Sequence, residues 1–515
     1  MPTASRSVLH GANKTCIERL ESMKHELKQI DTQLLVGDAF VPAVDGAVFA
    51  AMSPRDGAQL AQVARAGIAD VDLAVHAARA AFDAGPWPGM MPTERGRYLR
   101  RIADRIRARS DVLAELETLN GGKTIRNSHN EVEAAAKVFE YYAGAADKWF
   151  GNTIPMGAGV VDFTLREPVG VVAAITPWNF PFLAAAWKTA PALAVGCTVV
   201  LKPASHTPLT ALALGRAALE AGLPPGVLNV LPGPGAKLGD HIARHPLIDK
   251  ISFTGETTTG ATLMQAGADH VKRISLELGG KSPNIIFADA DLGTAATAAV
   301  HGAFGNAGQS CSARTRVFVQ HGILDEFIQL FRDATAKFKV GDPLDPETDM
   351  GPLVSADHWR AVKAWVTLGE SEGGTVVCGG DRPRGLDAGL AGGSYLAPTI
   401  LRGVSNSTRI AREEIFGPVA VVIPFQDESE AIALANDNEY GLNGSIWTRD
   451  IGRALRVAKR VKSGMISINS HGSASRYGYL APFGGFRKSG LGRELGMHGL
   501  ELYTELKNVF IDIEN

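Results

Sequence analysis

Between Gly170 and Leu278 the chain alternates short apolar β-rich runs with longer helical ones, and few architectures accept that order. Runs at 171–175, 198–201, 227–231, 251–254 and 273–278 are separated by helical stretches at 182–195, 209–221, 238–243 and 257–266. Strand and helix alternating at these lengths predict a parallel sheet covered on both faces. Such sheets bind ligands beyond the carboxyl ends of their strands. The stretch 171–201 is apolar enough to suggest a membrane span, but Pro177, Asn179, Pro181, Lys188 and Pro191 divide it into strand, turn, helix and strand. A soluble protein with no membrane partner is expected.

Upstream, 34–40 and 48–53 read as short strands. Val71, Val75, Ala78 and Phe82, then Leu99, Ile102 and Ile106, recur at helical spacing on either side of Gly85-Pro86-Trp87-Pro88, which predicts two amphipathic helices. Downstream, 284–287, 316–320, 419–425, 445–447 and 465–469 are strand candidates among helices, the pattern of a second α/β domain. Val509, Phe510, Ile511 and Ile513 predict a terminal strand that completes a sheet in this subunit or a neighbouring one. Residues 1–30 are polar and read as an extension without the apolar run of an export signal.

Composition narrows the chemistry. Fifty-two Lys and Arg balance 54 Asp and Glu, with no basic block to neutralise phosphates, so no nucleic-acid partner is expected. The four cysteines, Cys16, Cys197, Cys311 and Cys378, form no CxxC pair and no cluster with histidine. That argues against a disulfide framework and against a metal site, and fits a reducing, cytoplasmic setting.

Several residues stand where chemistry is possible. Gly233-Pro234-Gly235, with Gly239, joins a strand to a helix, either as a diphosphate turn or as an ordinary one, because its spacing is not the dinucleotide fingerprint. Gly255 marks a second such junction. Cys311 lies in a polar, glycine-flanked segment, where it is a nucleophile or an inert buried thiol. Glu277 ends an apolar strand beside Gly279 and Gly280, either salt-bridged or a base of raised pKa. Asn179 follows a buried strand and offers an amide donor to developing oxyanion charge, or a helix cap.

Taken together, PWNFP at 177–181, LKPASHTP at 201–208, FTG at 253–255, LELGGKSP at 276–283, GQSC at 308–311, EEIFGPV at 413–419 and PFGGFRKSGLGRELG at 482–496 resemble the aldehyde dehydrogenase superfamily, in order and spacing, from about Leu34 to the C-terminus. The resemblance implies a Rossmann-like parallel-sheet cofactor domain (31–149 and 170–279), a second α/β catalytic domain (280–484) and a small β oligomerisation element (150–169 and 485–515). It implies that Cys311 attacks an aldehyde to form a thiohemiacetal and then a thioester, with Asn179 and the Cys311 N–H as oxyanion donors. Glu277 would activate the hydrolytic water. A CoA-acylating semialdehyde dehydrogenase is the rival enzyme, and Glu277 argues against it because such members commonly lack that carboxylate. A catalytically silent scaffold is the rival outside enzymes, and retention of Cys311, Glu277 and Asn179 argues against that.

For a cofactor of NAD or NADP, the resemblance assigns Ile175, Trp178, Lys202, Ser205, Gly235, Gly239, Gly255, Glu256, Glu414 and Phe416. Two residues depart from the common pattern. Ser205 replaces a carboxylate that would repel a 2′-phosphate, so NADP is expected to be tolerated. Glu256 stands where Ser or Thr is common near the diphosphate, and is expected to turn to solvent or oppose the phosphates. Phe180, Trp187, Phe304, Tyr477 and Phe483 match or adjoin an aromatic substrate tunnel, which favours apolar or semi-polar aldehydes of the aminoaldehyde and betaine-aldehyde kind. Arg476 would favour a carboxylated aldehyde if it faced the site. A homodimer or homotetramer is implied.

Overall fold

The computed structural model describes residues 30–470 and 478–513; the N-terminal extension, Arg476 and Tyr477 lie outside them. Where one strand was expected, Leu34–Val36 (β1) and Ala39–Val41 (β2) form a hairpin about Gly37, whose φ of +69° suits a residue without Cβ. Val48–Met52 (β3) and Gln59–Ala64 (β4) make a separate ribbon. Four helices follow: Ile68–Asp83 (α1), Pro92–Ala108 (α2), Ser110–Gly121 (α3) and Ile125–Ala145 (α4). The first two flank the 85–88 break, and α1 buries Val71, Ala74, Val75 and Ala78, one stripe at helical spacing.

Thr153–Ile154 (β5) and Val160–Pro168 (β6) join Thr504–Asp512 in a three-stranded antiparallel sheet within one chain. The doubly covered sheet comes next. Val171–Ile175 (β7), Thr198–Lys202 (β8), Leu228–Val230 (β9), Lys250–Thr254 (β10) and Arg273–Glu277 (β11) alternate with Pro181–Val195 (α5), Leu209–Glu220 (α6), Gly235–Arg244 (α7) and Thr257–Gly267 (α8). Every residue of β7 and β8 is buried, as strands packed on both faces require. The strand order is β11-β10-β7-β8-β9-β1-β2, with Gly490–Leu491 antiparallel at the β11 edge. Part of the segment expected in the oligomerisation element therefore closes the first sheet.

The second sheet has the order β14-β15-β16-β13-β12-β17-β18. Its strands are Pro283–Ile286 (β12), Arg316–Gln320 (β13), Thr375–Cys378 (β14), Thr399–Arg402 (β15), Val419–Phe425 (β16), Asn443–Trp447 (β17) and Met465–Ile468 (β18). All but the β14 pairing are parallel. The helices of this half include Leu292–Phe304 (α9) and Leu324–Ala336 (α10). The α/β class holds in both halves. β14 and β15 were not among the strands expected from the sequence.

Candidate active site

Parallel register gathers the candidate residues at one edge. Ile175 pairs with Lys202 and with Phe253, and Thr254 pairs with Glu277, so the carboxyl ends of β7, β8, β10 and β11 are level. The chain then crosses from β11 to β12 through Gly279 and Gly280, which joins the two sheets. A Cβ on Gly280 would collide with the Cys311 carbonyl, and one on Gly279 with the Glu414 carboxylate. At Gly280, where the atom met is backbone, only glycine permits that approach.

Cys311 is carried by a loop with an unusual backbone. After α9 the chain turns through Asn306 (φ +53°), Ala307 (φ +56°) and Gly308 (φ +69°). Left-handed non-glycine residues persist where surrounding contacts hold them. Here the Asn306 Nδ2 donates to the carbonyls of Asn179 and Gln309, each at 3.2 Å. The Asn179 Nδ2 donates to the Gln309 carbonyl at 3.1 Å, and the Val354 N–H donates to Gln309 Oε1 at 2.8 Å. The loop after β7 and the loop after α9 are thus bound together beside the thiol. An amide NH2 has two donors, so the bond to Gln309 uses one of the two on Asn179.

Cys311 is half-buried, and its thiol is pushed up to about 12 by burial, then by the charges of Glu414 and Glu277. It therefore needs a base to react at neutral pH. Glu277 is buried, and neither carboxylate oxygen has a hydrogen-bond partner among the described residues. Burial, followed by the Glu494 charge, raises its pKa well above the carboxylate range, against the opposing Lys188 and Arg493. Glu494 Oε1 accepts from the buried Lys188 Nζ at 2.5 Å. The sequence reading passed over this pair; a single lysine on the otherwise apolar α5 was the available signal.

The nucleotide edge is quieter. Lys202 Nζ donates to the carbonyls of Pro203 and Gly233, each at 3.2 Å, and burial brings its pKa down to about 8. Ser205 Oγ donates to the same Gly233 carbonyl at 2.7 Å. Gly235 opens α7, where a Cβ would meet no atom within 4 Å. Gly239 is one turn further on, buried toward Leu263 of α8, the packing role that the last glycine of such a turn serves. Neither α7 nor α8 has a side-chain cap, so their first N–H groups remain available to a diphosphate. Glu256 just before α8 is exposed, the solvent-facing alternative, though its charge still helps raise Glu414.

Trp178 meets the Phe416 ring edge-on at 5.1 Å and the His358 ring at 5.3 Å, and His358 Nε2 lies 2.7 Å from the Phe416 carbonyl. Phe416 has φ +55°, a further left-handed non-glycine residue. Glu414 Oε1 accepts from the Gly280 N–H at 3.0 Å, and burial lifts Glu414 to about 7. The uncapped helix starts, the open approach at Gly235 and the lysine beside the β8 end suit a dinucleotide.

Trp187 and Phe483 meet edge-on at 4.9 Å, and Cys311 packs against the same core cluster as both. The Phe180 ring lies under Lys123 Nζ at 4.4 Å. Phe304 is fully buried and stacked on Phe331 of α10 at 5.7 Å. It ends α9 before the left-handed turn, which sends the chain toward Cys311 while the ring stays in the second core.

A nucleotide edge beside an enclosed thiol is the arrangement of a pyridine-nucleotide oxidoreductase that works through a covalent adduct. Residues 40–509 match the aldehyde dehydrogenase family model, and the chain belongs to that family. It is 43% identical to a betaine aldehyde dehydrogenase of Bacillus subtilis over 481 residues, 93% of this chain and 96% of that one. It is 42% identical to the NADP/NAD-dependent aldehyde dehydrogenase PuuC of Escherichia coli over 488 residues, 94% and 96% of the two chains. A crystal structure of Staphylococcus aureus betaine aldehyde dehydrogenase in complex with NAD+ superposes with a TM-score of 0.93 at 39% identity, covering 96% of this chain and 98% of that one. The chain is an NAD(P)-dependent aldehyde dehydrogenase that oxidises an aldehyde to the acid through a catalytic cysteine. Among the described residues no helix is long and apolar enough to cross a membrane.

Proposed function

We propose that Cys311 is the nucleophile, Glu277 the general base and Asn179, with the Cys311 N–H, the oxyanion donor. Cys311 Sγ bonds to the aldehyde carbon, its proton leaves to a base, and the carbonyl oxygen becomes a thiohemiacetal oxyanion held by the two donors. A bound nicotinamide supplies the hydride acceptor, and Lys202, Gly235, Gly255, Trp178, Glu414 and Phe416 would hold its nucleotide. Glu277 then takes a proton from water, whose oxygen attacks the thioester carbon and expels the Cys311 sulfur. The observation that carries this reading is a thiol flanked by two carboxylates at the junction of the sheets, of which the buried Glu277 has no hydrogen-bond partner among the described residues. Cys311→Ala tests it: aldehyde oxidation is lost while NAD binding remains, and persistent turnover refutes the assignment.

Semi-polar aldehydes of the aminoaldehyde and betaine-aldehyde class fit best, supported by the Trp187–Phe483 pair and by the named specificity of the B. subtilis relative. Ser205, uncharged and turned to a carbonyl, supports use of NADP beside NAD. An aldehyde panel run with both nucleotides, scored by kcat/KM, tests both points.

The cofactor domain is assigned to 31–149 and 170–279 and the catalytic domain to 280–484, supported by their separate sheets. Assembly as a homodimer or homotetramer is supported by the sheet of β5, β6 and Thr504–Asp512, which exposes Val161, Leu165, Leu506, Phe510 and Ile511. Light scattering distinguishes these states from a monomer. The free thiols Cys197, Cys311 and Cys378 support a cytoplasmic setting.

A further inference from the structure

Sequence spacing gave no metal site because the cysteines do not cluster, but the fold brings histidines together that lie far apart in the chain. On α1, Asp72 and His76 stand four residues apart on one helical face. On α7, His241 lies in the last turn and His245 just beyond it, again four apart. The two helices pack against each other. Asp72, His241 and His245 are the one group of three metal-binding side chains among the described residues whose ligand atoms all lie within 4.8 Å of one another.

From these positions we propose that Asp72, His241 and His245 form a binding site for a divalent transition cation of the zinc type, with water or His76 in the fourth place. The donor set, two imidazoles and one carboxylate, suits zinc. Bonds of about 2.0–2.2 Å in a tetrahedron set ligand atoms about 3.3 Å apart. Asp72 Oδ1 lies 2.6 Å from His241 Nε2 and 3.5 Å from His245 Nε2, so small side-chain rotations make the site. His76 is adjacent, its ring edge-on to His245 with centroids 6.1 Å apart.

The surroundings leave the carboxylate to these histidines. Among the described residues Asp72 has no Lys or Arg partner, since Arg79 is engaged by Asp83 and Asp249, and Arg244 by Asp240 and Asp269. Lys272 donates to the carbonyls of His245 and Ile248. Binding at His245 Nε2 moves the ring proton to Nδ1 and gives up the contact at 3.2 Å from the Leu247 N–H, which weakens affinity without blocking it. A bound ion would fasten α7, whose opposite end begins at Gly235, to α1.

The test is calorimetric titration of Zn2+ into chelator-treated full-length enzyme. One zinc per subunit is expected with micromolar affinity. His241→Ala and His245→Ala should each weaken it about tenfold or more, the scale of losing even a supporting partner at a metal site. Cys311→Ala should leave it unchanged, which separates this site from the reactive thiol. Asp72→Asn, close in volume, repeats the test if a histidine variant folds poorly. Absence of binding in the wild type, unchanged binding in the variants of Asp72, His241 and His245, or loss of binding only in Cys311→Ala would overturn the proposal.

Discussion

The strand edge at Lys202 and Ser205 and the surroundings of the Cys311 thiol are built on opposite terms. At the nucleotide edge, the side-chain polar groups find carbonyls: Lys202 and Ser205 both reach Gly233. Regular parallel register positions them. Nearer the thiol, Glu277 at the end of β11 has two buried oxygens without a hydrogen-bond partner among the described residues, and Asn306 and Ala307 hold left-handed backbone conformations. Binding surfaces can be assembled from relaxed elements, whereas reactive groups are held away from their own minima by the structure around them.

That contrast is open to attack by substitution. The largest effect is expected for Glu277→Gln, which should reduce steady-state turnover by about 100–10,000-fold, the range for a lost general base. The pH dependence of wild-type deacylation gives the sign. Because the folded pKa of Glu277 is raised, the basic form is depleted as pH falls through it, so the rate should fall on the acid side. Stopped-flow measurement should find that limb in the wild type and not in Glu277→Gln; the same limb in both would place the base elsewhere.

Asn179→Ala should cost about 100–1,000-fold in kcat, the scale for one oxyanion donor. A change confined to KM would make it a binding residue. At the strand edge, Ser205→Glu should lower kcat/KM for NADP about tenfold or more while sparing NAD, since like charges at about 4 Å repel by roughly 1–4 kcal/mol. Equal losses with both nucleotides would show that Ser205 does not face the 2′ position. The smallest effect is expected for Phe304→Leu, below about 1.5 kcal/mol of stability and without a change in KM. A shifted KM would return Phe304 to the substrate tunnel.

The same contrast explains what could be read from the residues in order. The strands β7, β8, β10 and β11 follow from apolar runs and turn glycines, and the level carboxyl ends follow from parallel pairing, so Lys202 and Glu277 were found at their edge. The thiol loop depends on tertiary contacts. Nothing local in Asn306-Ala307 announces two positive φ angles, which rest on the bonds of Asn306 to the Asn179 and Gln309 carbonyls. The burial of Phe304 in the second core likewise depends on that turn and could not be read from its proximity to Cys311 along the chain. Lys188 and Glu494 are 306 residues apart and meet only in the folded core.

The covalent step is tested most directly by mass spectrometry of Glu277→Gln quenched during turnover of an aldehyde with NAD. The expected result is one acyl group per subunit on the peptide that carries Cys311, accumulating as the reduced nucleotide forms. Continued formation of acid with Cys311 unmodified would contradict an acyl-enzyme that waits on Glu277 for its water.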